Sequence, residues 1–419
     1  MRAGPVTAVE NERDPGDARP AGRLATLLLV GALTIMAGAT ISPALPAIER
    51  EVAGEDGALL ARLVLTIPAL FTAITALAAG AALDRFGRRG PLLGALALYA
   101  LAGPAGGLVS SIVPLLVSRA LLGVAVGVVM TASDTLVADY YEGERRAEIM
   151  GRQAAFSGIG GIAFLVGGGL LADLSWRAPF AIYLLALPVL VLAWRFLPEP
   201  ARAAPASPTG RTGFPALRAP VVLLAALGFA SMVVFYLTPV QVPFHLEGLG
   251  APSGALAGAA VAATTLTGAV ASALYGRLRS RIGRRTTFAL LFATMAAGYA
   301  AVSLAGSASG VIAGLALFGC GFGLLIPSLN SLAGDLAEPA TRGAVVGALT
   351  TSLFLGQFAS PLAAGPLIAT VGSAGAFGVG AGLLAALGAG FALARARDAV
   401  RTPASPRTVD SPVRPEETR

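Results

Sequence analysis

The chain has 419 residues, 55% of them apolar and 13% charged, with a mean hydropathy of +0.76 and a net charge of +7. A soluble chain carries about 25% charged residues, so a water-soluble globular fold is excluded. One cysteine (Cys320) and one histidine (His245) also exclude a disulfide and a Cys/His metal cluster.

Residues 1–22 are rich in Pro, Gly and charge and read as a disordered tail. A first bundle is expected over 23–197. It holds the uncharged runs 24–48, 63–83 and 153–172, with further spans near 90–109, 113–137 and 179–197. The first run exceeds the core of a signal peptide, about 7–15 residues, and reads as a retained span. Residues 198–218 are Pro-rich and read as a cytoplasmic linker. A second bundle follows over 219–396, with uncharged runs 219–244, 248–276, 286–334 and 343–394. A span needs about 20 apolar residues, so the last two runs hold two spans each, divided at 306–310 and 372–375. The total is twelve, and residues 397–419 read as a second disordered cytoplasmic tail.

All 30 basic residues are arginine. With the N-terminus cytoplasmic, 26 of them fall on the cytoplasmic side, and Arg50, Arg62, Arg119 and Arg177 fall elsewhere. The positive-inside rule therefore places both termini in the cytoplasm. The positive charge reflects topology and gives no nucleic-acid surface, although basic clusters can touch anionic headgroups.

The two bundles are copies. Gly80, Asp84, Arg85, Gly87, Arg88 and Arg89 return 196 residues later as Gly276, Ser280, Arg281, Gly283, Arg284 and Arg285. The same offset carries Pro43 to Pro239, Gly123 to Gly319, Gly127 to Gly323, Asp139 to Asp335 and Arg146 to Arg342. Gly80 and Gly276 allow close helix approach, while Gly87 and Gly283 suit a short turn. Asp84 is the residue that topology does not require. Its carboxylate can pair with nearby arginines and face a helix N-terminus, forming a cytoplasmic latch.

This repeated segment resembles motif A of the major facilitator superfamily, and Arg119-x-x-x-Gly123-x-x-x-Gly127 resembles that family's motif B. The resemblance implies an all-α integral membrane fold of two six-helix bundles related by a pseudo-two-fold axis, with the substrate site between them. Residues 39–48, 239–244 and 197–200 resemble bacterial twelve-span drug and metabolite exporters, which implies a multi-pass protein of the bacterial inner (plasma) membrane. One departure concerns direction. Gly168 and Gly169 stand where such exporters carry a proline-containing antiporter motif, and a proline occurs instead in span eleven, as Pro361.

The duplication kept packing residues and lost ionisable ones: Arg119 corresponds to Leu315, Asp84 to Ser280 and Asp134 to Asn330. Charges inside a bilayer are costly and usually functional. Arg119, Gly123, Gly127, Met130 and Asp134 share one helix face about 22 Å long, so Arg119 and Asp134 are expected at opposite ends of a cavity-facing stripe as the coupling candidates. Arg119 can also be read as snorkelling to the outer headgroups, and Asp134 as a solvated group at the cytoplasmic mouth. Tyr236, Gln241, Asn330 and Gln357 are candidate cavity residues, or else interhelical hydrogen-bonding groups. Few acidic residues fall near the midplane, which favours a neutral or zwitterionic amphipathic solute. No phosphate loop, nucleophile motif or metal-ligand spacing occurs, so neither an enzyme nor a cofactor is expected. The expectation is a monomeric transporter exchanging protons for a small drug or metabolite, with proton-coupled uptake of a small organic solute as the alternative.

Overall fold

The computed structural model describes residues 19–54, 57–200, 218–338 and 341–401. Most of the linker expected at 198–218, and most of both expected tails, lies outside them. Two boundaries move. The first helix already begins at Arg19, with Pro20 in its first turn, where a missing N–H costs nothing. The last helix continues to Arg401, because Ala, Leu and Arg after Phe391 are strong helix formers.

Among the described residues every regular element is helical. Helix α1 (Arg19–Ala39) leads through a short 3-10 turn (Ser42–Ala44) and α2 (Leu45–Ile48) into α3 (Ala58–Phe86), α4 (Arg89–Ala105), α5 (Ile112–Tyr140) and α6 (Gly143–Leu174). A 3-10 segment (Ala178–Leu185) precedes α7 (Ala186–Phe196). The second half contains α8 (Ala219–Phe235), α9 (Leu237–Gly248), α10 (Gly254–Ile282), α11 (Arg284–Leu304), α12 (Ala308–Leu336) and α13 (Arg342–Arg401). Among the described residues, ten stretches are long and apolar enough to cross a membrane. The longest, Arg342–Leu393, is broken where Gly372 takes φ 71° and ψ 177°, within the division expected at 372–375. Helix α4, at 17 residues, is about 26 Å long and shorter than an average span.

Two apolar cores form. One gathers buried residues from Leu27 to Leu197 and the other residues from Leu224 to Leu384. Val240 joins the first core and Leu165 the second, which marks where the halves touch.

The sequence repeat returns as repeated geometry. A Cβ on Gly123 would run into the Pro68 carbonyl, and one on Gly319 into the Thr264 carbonyl. Gly127 lies against the Thr72 carbonyl and Gly323 against that of Gly268. Between apolar helices in lipid, such close backbone approach supplies the packing that hydrophobic burial supplies in water. Arg88 pairs with Asp139 at 3.2 Å, and Arg284 pairs with Asp335 at 2.6 Å. Gly87 and Gly283 have φ of 89° and 73°, closing α3 and α10 in a conformation that L side chains rarely adopt.

Overpacking these contacts costs about 1–3 kcal/mol. Gly123→Val and Gly319→Val are therefore expected to lower the thermal midpoint of the solubilised protein. Gly151→Ala, where a Cβ meets nothing within 4 Å, leaves it unchanged; differential scanning fluorimetry compares the three.

Candidate functional site

Between the two halves lies a cavity of about 300 Å³ lined from α1, α3, α5 and α6 on one side and from α8, α9, α10 and α13 on the other. No charged side chain lines it. Ile35, Leu65, Val126, Met130, Leu165 and Val261 supply aliphatic wall, and Phe235 and Phe354 aromatic wall. Phe235 is held flat against Phe322, ring centroids 3.8 Å apart, so its position is fixed by α12.

The polar lining groups differ in what they have left to offer. Thr34 donates to the Gly31 carbonyl at 2.7 Å and Thr72 to the Gly123 carbonyl at 3.1 Å, so both hydroxyl protons are used by the helices. Tyr236, Thr265 and Gln357 also line the cavity, and their polar ends are not taken up by hydrogen bonds within the described chain. Tyr236 sits where α8 ends and α9 begins (φ −71°, ψ −7°). Pro239 in the first turn of α9 has no N–H to offer the Phe235 carbonyl, and this break turns Tyr236 toward Gly38 of α1, 3.6 Å from where a Gly38 Cβ would lie.

The halves are joined by hydrogen bonds at the face opposite the arginine-rich loops. The Ser42 hydroxyl donates to the Pro239 carbonyl, and Arg50 pairs with Glu247. Asp173, at the end of α6, accepts from the backbone N–H of Gly254 at 2.6 Å and of Ala255 at 3.0 Å, and from the Ser253 hydroxyl at 3.2 Å. A carboxylate from one half thus caps the N-terminus of a helix of the other. Below it, Gly168 lies against Thr40, Gly169 against the Gly254 carbonyl and Gly258 against the Leu165 carbonyl. Gly168 and Gly169 are therefore contact residues between helices, as a packing role requires.

At the arginine-rich face, Asp84 is 75% exposed and pairs with Arg88 of its own loop at 3.2 Å. The expected helix-terminus partner of this segment comes from elsewhere. Glu199 accepts from the backbone N–H of Arg88 at 2.6 Å and of Arg89 at 2.8 Å, capping α4. Asp173 does not stand out in a search for motifs, and Glu199 does so only as part of the 197–200 segment, with no capping role legible there. The available signals are a carboxylate between two prolines, Pro198 and Pro200, and the first charge after a 20-residue uncharged run, 153–172.

The expected stripe on α5 divides. Met130 lines the cavity, and Gly123 and Gly127 turn toward α3. Arg119 is fully buried and is not a cavity residue. Its Nη2 donates to the Gly103 carbonyl at 2.5 Å and the Ala102 carbonyl at 3.1 Å, and its guanidinium lies 4.9 Å from the ring centroids of Phe180 and Tyr183. The last-turn carbonyls of α4 lack intrahelical donors, and a cation there also suits the helix dipole. This capping draws Arg119 away from the cavity and from the headgroups. Its stacking partner Tyr183 donates to the carbonyl of Ala37, itself a cavity residue, at 3.1 Å.

Asp134 is exposed, four residues beyond Met130, and makes no ion pair among the described residues. Asn330, its repeat counterpart, is likewise exposed and does not line the cavity. Gln241 is also outside the lining: it is buried in α9 with neither amide atom partnered. Of the four cavity candidates, the structure brings Tyr236 and Gln357 together. Pro361 is buried within α13, next to Ser360, whose hydroxyl donates to the Val233 carbonyl at 2.8 Å.

The sequence profile of the Major Facilitator Superfamily matches residues 27–361 and 251–417. The tetracycline resistance protein, class C, of Escherichia coli is 31% identical over 163 residues, 37% of this chain and 40% of that protein. The multidrug transporter protein MdtP of Bacillus subtilis (strain 168) is 29% identical over 182 residues, 41% of this chain and 32% of that protein. These matches thus span less than half the length of either relative. The inward open structure of the xylose transporter XylE from E. coli superimposes with a TM-score of 0.73 at 14% identity, over 88% of this chain and 94% of that one.

Removing the Asp173 cap tests whether it holds the halves together. Hydrogen bonds to a charged group contribute about 1.5–3 kcal/mol, so Asp173→Ala is expected to speed amide exchange about tenfold or more. Acceleration should appear at 253–258 and also at 42–50, which Asp173 does not touch. Faster exchange confined to 253–258 would reduce Asp173 to a local helix cap.

Proposed function

Because the chain belongs to the Major Facilitator Superfamily, whose members are transporters and not enzymes, we propose that it is a secondary active transporter. In this reading it exports a small amphipathic compound, a drug or metabolite, in exchange for protons. The observation that carries the substrate class is the uncharged cavity between the halves, where Phe235 and Phe354 stand beside the uncommitted Tyr236 hydroxyl and Gln357 amide. Such a wall offers apolar area and neutral hydrogen bonds; with no carboxylate or arginine it gives an ionic solute no counter-charge. The relatives' names, a tetracycline resistance protein and a multidrug transporter protein, support a drug as the solute.

The way the halves are joined supports alternating access. The bonds of Ser42, Arg50 and Asp173 close one face, and breaking them lets the bundles rock so that the cavity faces the other way. Asp84 and its arginines then act as the latch of the arginine-rich face. That face is assigned to the cytoplasm and the membrane to the bacterial inner membrane, with the chain working as a monomer. Asp134, one helical turn from the cavity wall, is the group proposed to exchange the proton. Arg119 tunes the lining indirectly through Tyr183 and Ala37.

Proton release from purified protein on addition of a panel of hydrophobic drugs and metabolites tests this reading. Wild type is expected to release protons and Asp134→Asn to bind the same compound without release. Tyr236→Phe and Gln357→Ala should each weaken binding about 3- to 10-fold, the worth of one hydrogen bond. Proton release by Asp134→Asn at the wild-type level would remove Asp134 from the coupling role. The lack of the usual proline beside Gly168 and Gly169 favours weighing uptake as the second reading; proton-driven flux in right-side-out and inverted vesicles gives the direction.

A further inference from the structure

Three helix ends meet at the arginine-rich face, away from the central cavity: the first turns of α1 and α4 and the last turn of α7. Between them lies a second cavity of about 310 Å³, lined by Arg23, Arg89 and Arg195 together with Trp194, Phe196 and Leu197. Gly22 brings α1 against the Phe196 ring, where a Cβ would come within 2.5 Å of Cδ1.

The three guanidinium groups are held in place but not neutralised. Arg23 lies 4.7 Å from the centroid of the Tyr140 ring, and Arg89 donates through Nη2 to the Trp194 carbonyl at 2.5 Å. The Nε atoms of Arg23 and Arg89 are buried without a hydrogen-bond partner. Among the described residues, none of the three arginines makes an ion pair. The nearby carboxylates are committed elsewhere: Glu199 to the backbone N–H groups of Arg88 and Arg89, and Asp139 to the Arg88 side chain. The N-terminus of α1 adds its partial positive charge, while that of α4 is already capped by Glu199. Buried donors without acceptors are costly, and two such cations, Arg23 and Arg89, with the exposed Arg195 beside them around one cavity call for a multivalent oxyanion such as a phosphate.

The surroundings identify the source of that phosphate. Leu187, Val191 and Trp194 of α7 follow one another at spacings of four and three and are 47%, 61% and 63% exposed. They form an apolar stripe along the outside of the bundle that ends at the arginines. Tryptophan at the end of a membrane-facing stripe marks the headgroup level. We propose that this pocket is a binding site for an anionic phospholipid, its phosphate among Arg23, Arg89 and Arg195 and an acyl chain along Leu187, Val191 and Trp194. The site would hold the ends of α1, α4 and α7 together independently of transport.

The test uses full-length protein in neutral detergent, with phosphatidylglycerol, phosphatidylcholine and inorganic phosphate as probes and native mass spectrometry as the readout. Wild type is expected to hold one phosphatidylglycerol more tightly than phosphatidylcholine, with millimolar inorganic phosphate unable to displace it. Each arginine near an anionic headgroup is worth about fivefold in affinity. Arg23→Gln with Arg195→Gln should therefore weaken phosphatidylglycerol about 10- to 30-fold while phosphatidylcholine is unaffected, and the paired Lys substitutions should restore most of it. Arg195→Gln alone, at an exposed side chain, keeps the test open if the double variant does not fold; about fivefold is expected. Equal phosphatidylglycerol affinity in the Gln variants, or no preference over phosphatidylcholine, overturns the proposal. Displacement of the lipid by inorganic phosphate would make the site one for a soluble anion and overturn it equally.

Discussion

Gly123 of α5 faces the carbonyl of Pro68, Gly319 faces that of Thr264, and Gly169 faces that of Gly254. At each place two helix backbones come closer than any side chain would allow, and the rest of the molecule is arranged around that closeness. In lipid, apolar side chains gain little by leaving one another's company, so tight van der Waals contact must hold the helices. Within each half these contacts are rigid and repeated. Between the halves, the Gly169–Gly254–Gly258 contacts end at Asp173, a carboxylate that a change of state can release. The packing that makes the bundles firm thus also forms the surface where one bundle meets the other, which the proposed alternating access would use.

The polar groups follow from the same constraint. A backbone carbonyl or N–H without a partner is expensive away from water, and three charged residues serve such groups at helix ends. Arg119 covers the carbonyls ending α4, Glu199 covers the amides beginning α4, and Asp173 covers those beginning α10. The second half retains the Arg284–Asp335 pair but has leucine at the position equivalent to Arg119. Its tighter aromatic packing there, with Tyr299 stacked on Phe318 at 4.1 Å, needs no cation. This division of labour leaves the central cavity free of charge.

Much of this was legible in the chain itself. Charge-free runs give the membrane-crossing segments because a charge in the bilayer is costly wherever it falls. The 196-residue repeat gives two equivalent bundles, and the Gly–Asp–Arg–Gly–Arg–Arg segment gives the family; all are properties of linear order. Gly372 was legible as a break for the same reason, since a glycine between two apolar runs is free to take positive φ. What the chain could not give was the partner of each polar residue. Arg119 and Met130 share a face of α5 by spacing, yet Arg119 is drawn to the α4 carbonyls and Met130 to the cavity. Gln241 and Gln357 are alike as polar residues in spans, and only the break at Tyr236 and the course of α13 decide that one is buried in α9 and the other lines the cavity. Asp173 becomes a clasp because α10 begins beside it, 81 residues away in sequence. Composition and spacing thus determined the membrane, the duplication and the family, because those depend on what each segment is. Tertiary structure decided the cavity lining, the clasp and the role of Arg119, because those depend on which unsatisfied group each side chain meets.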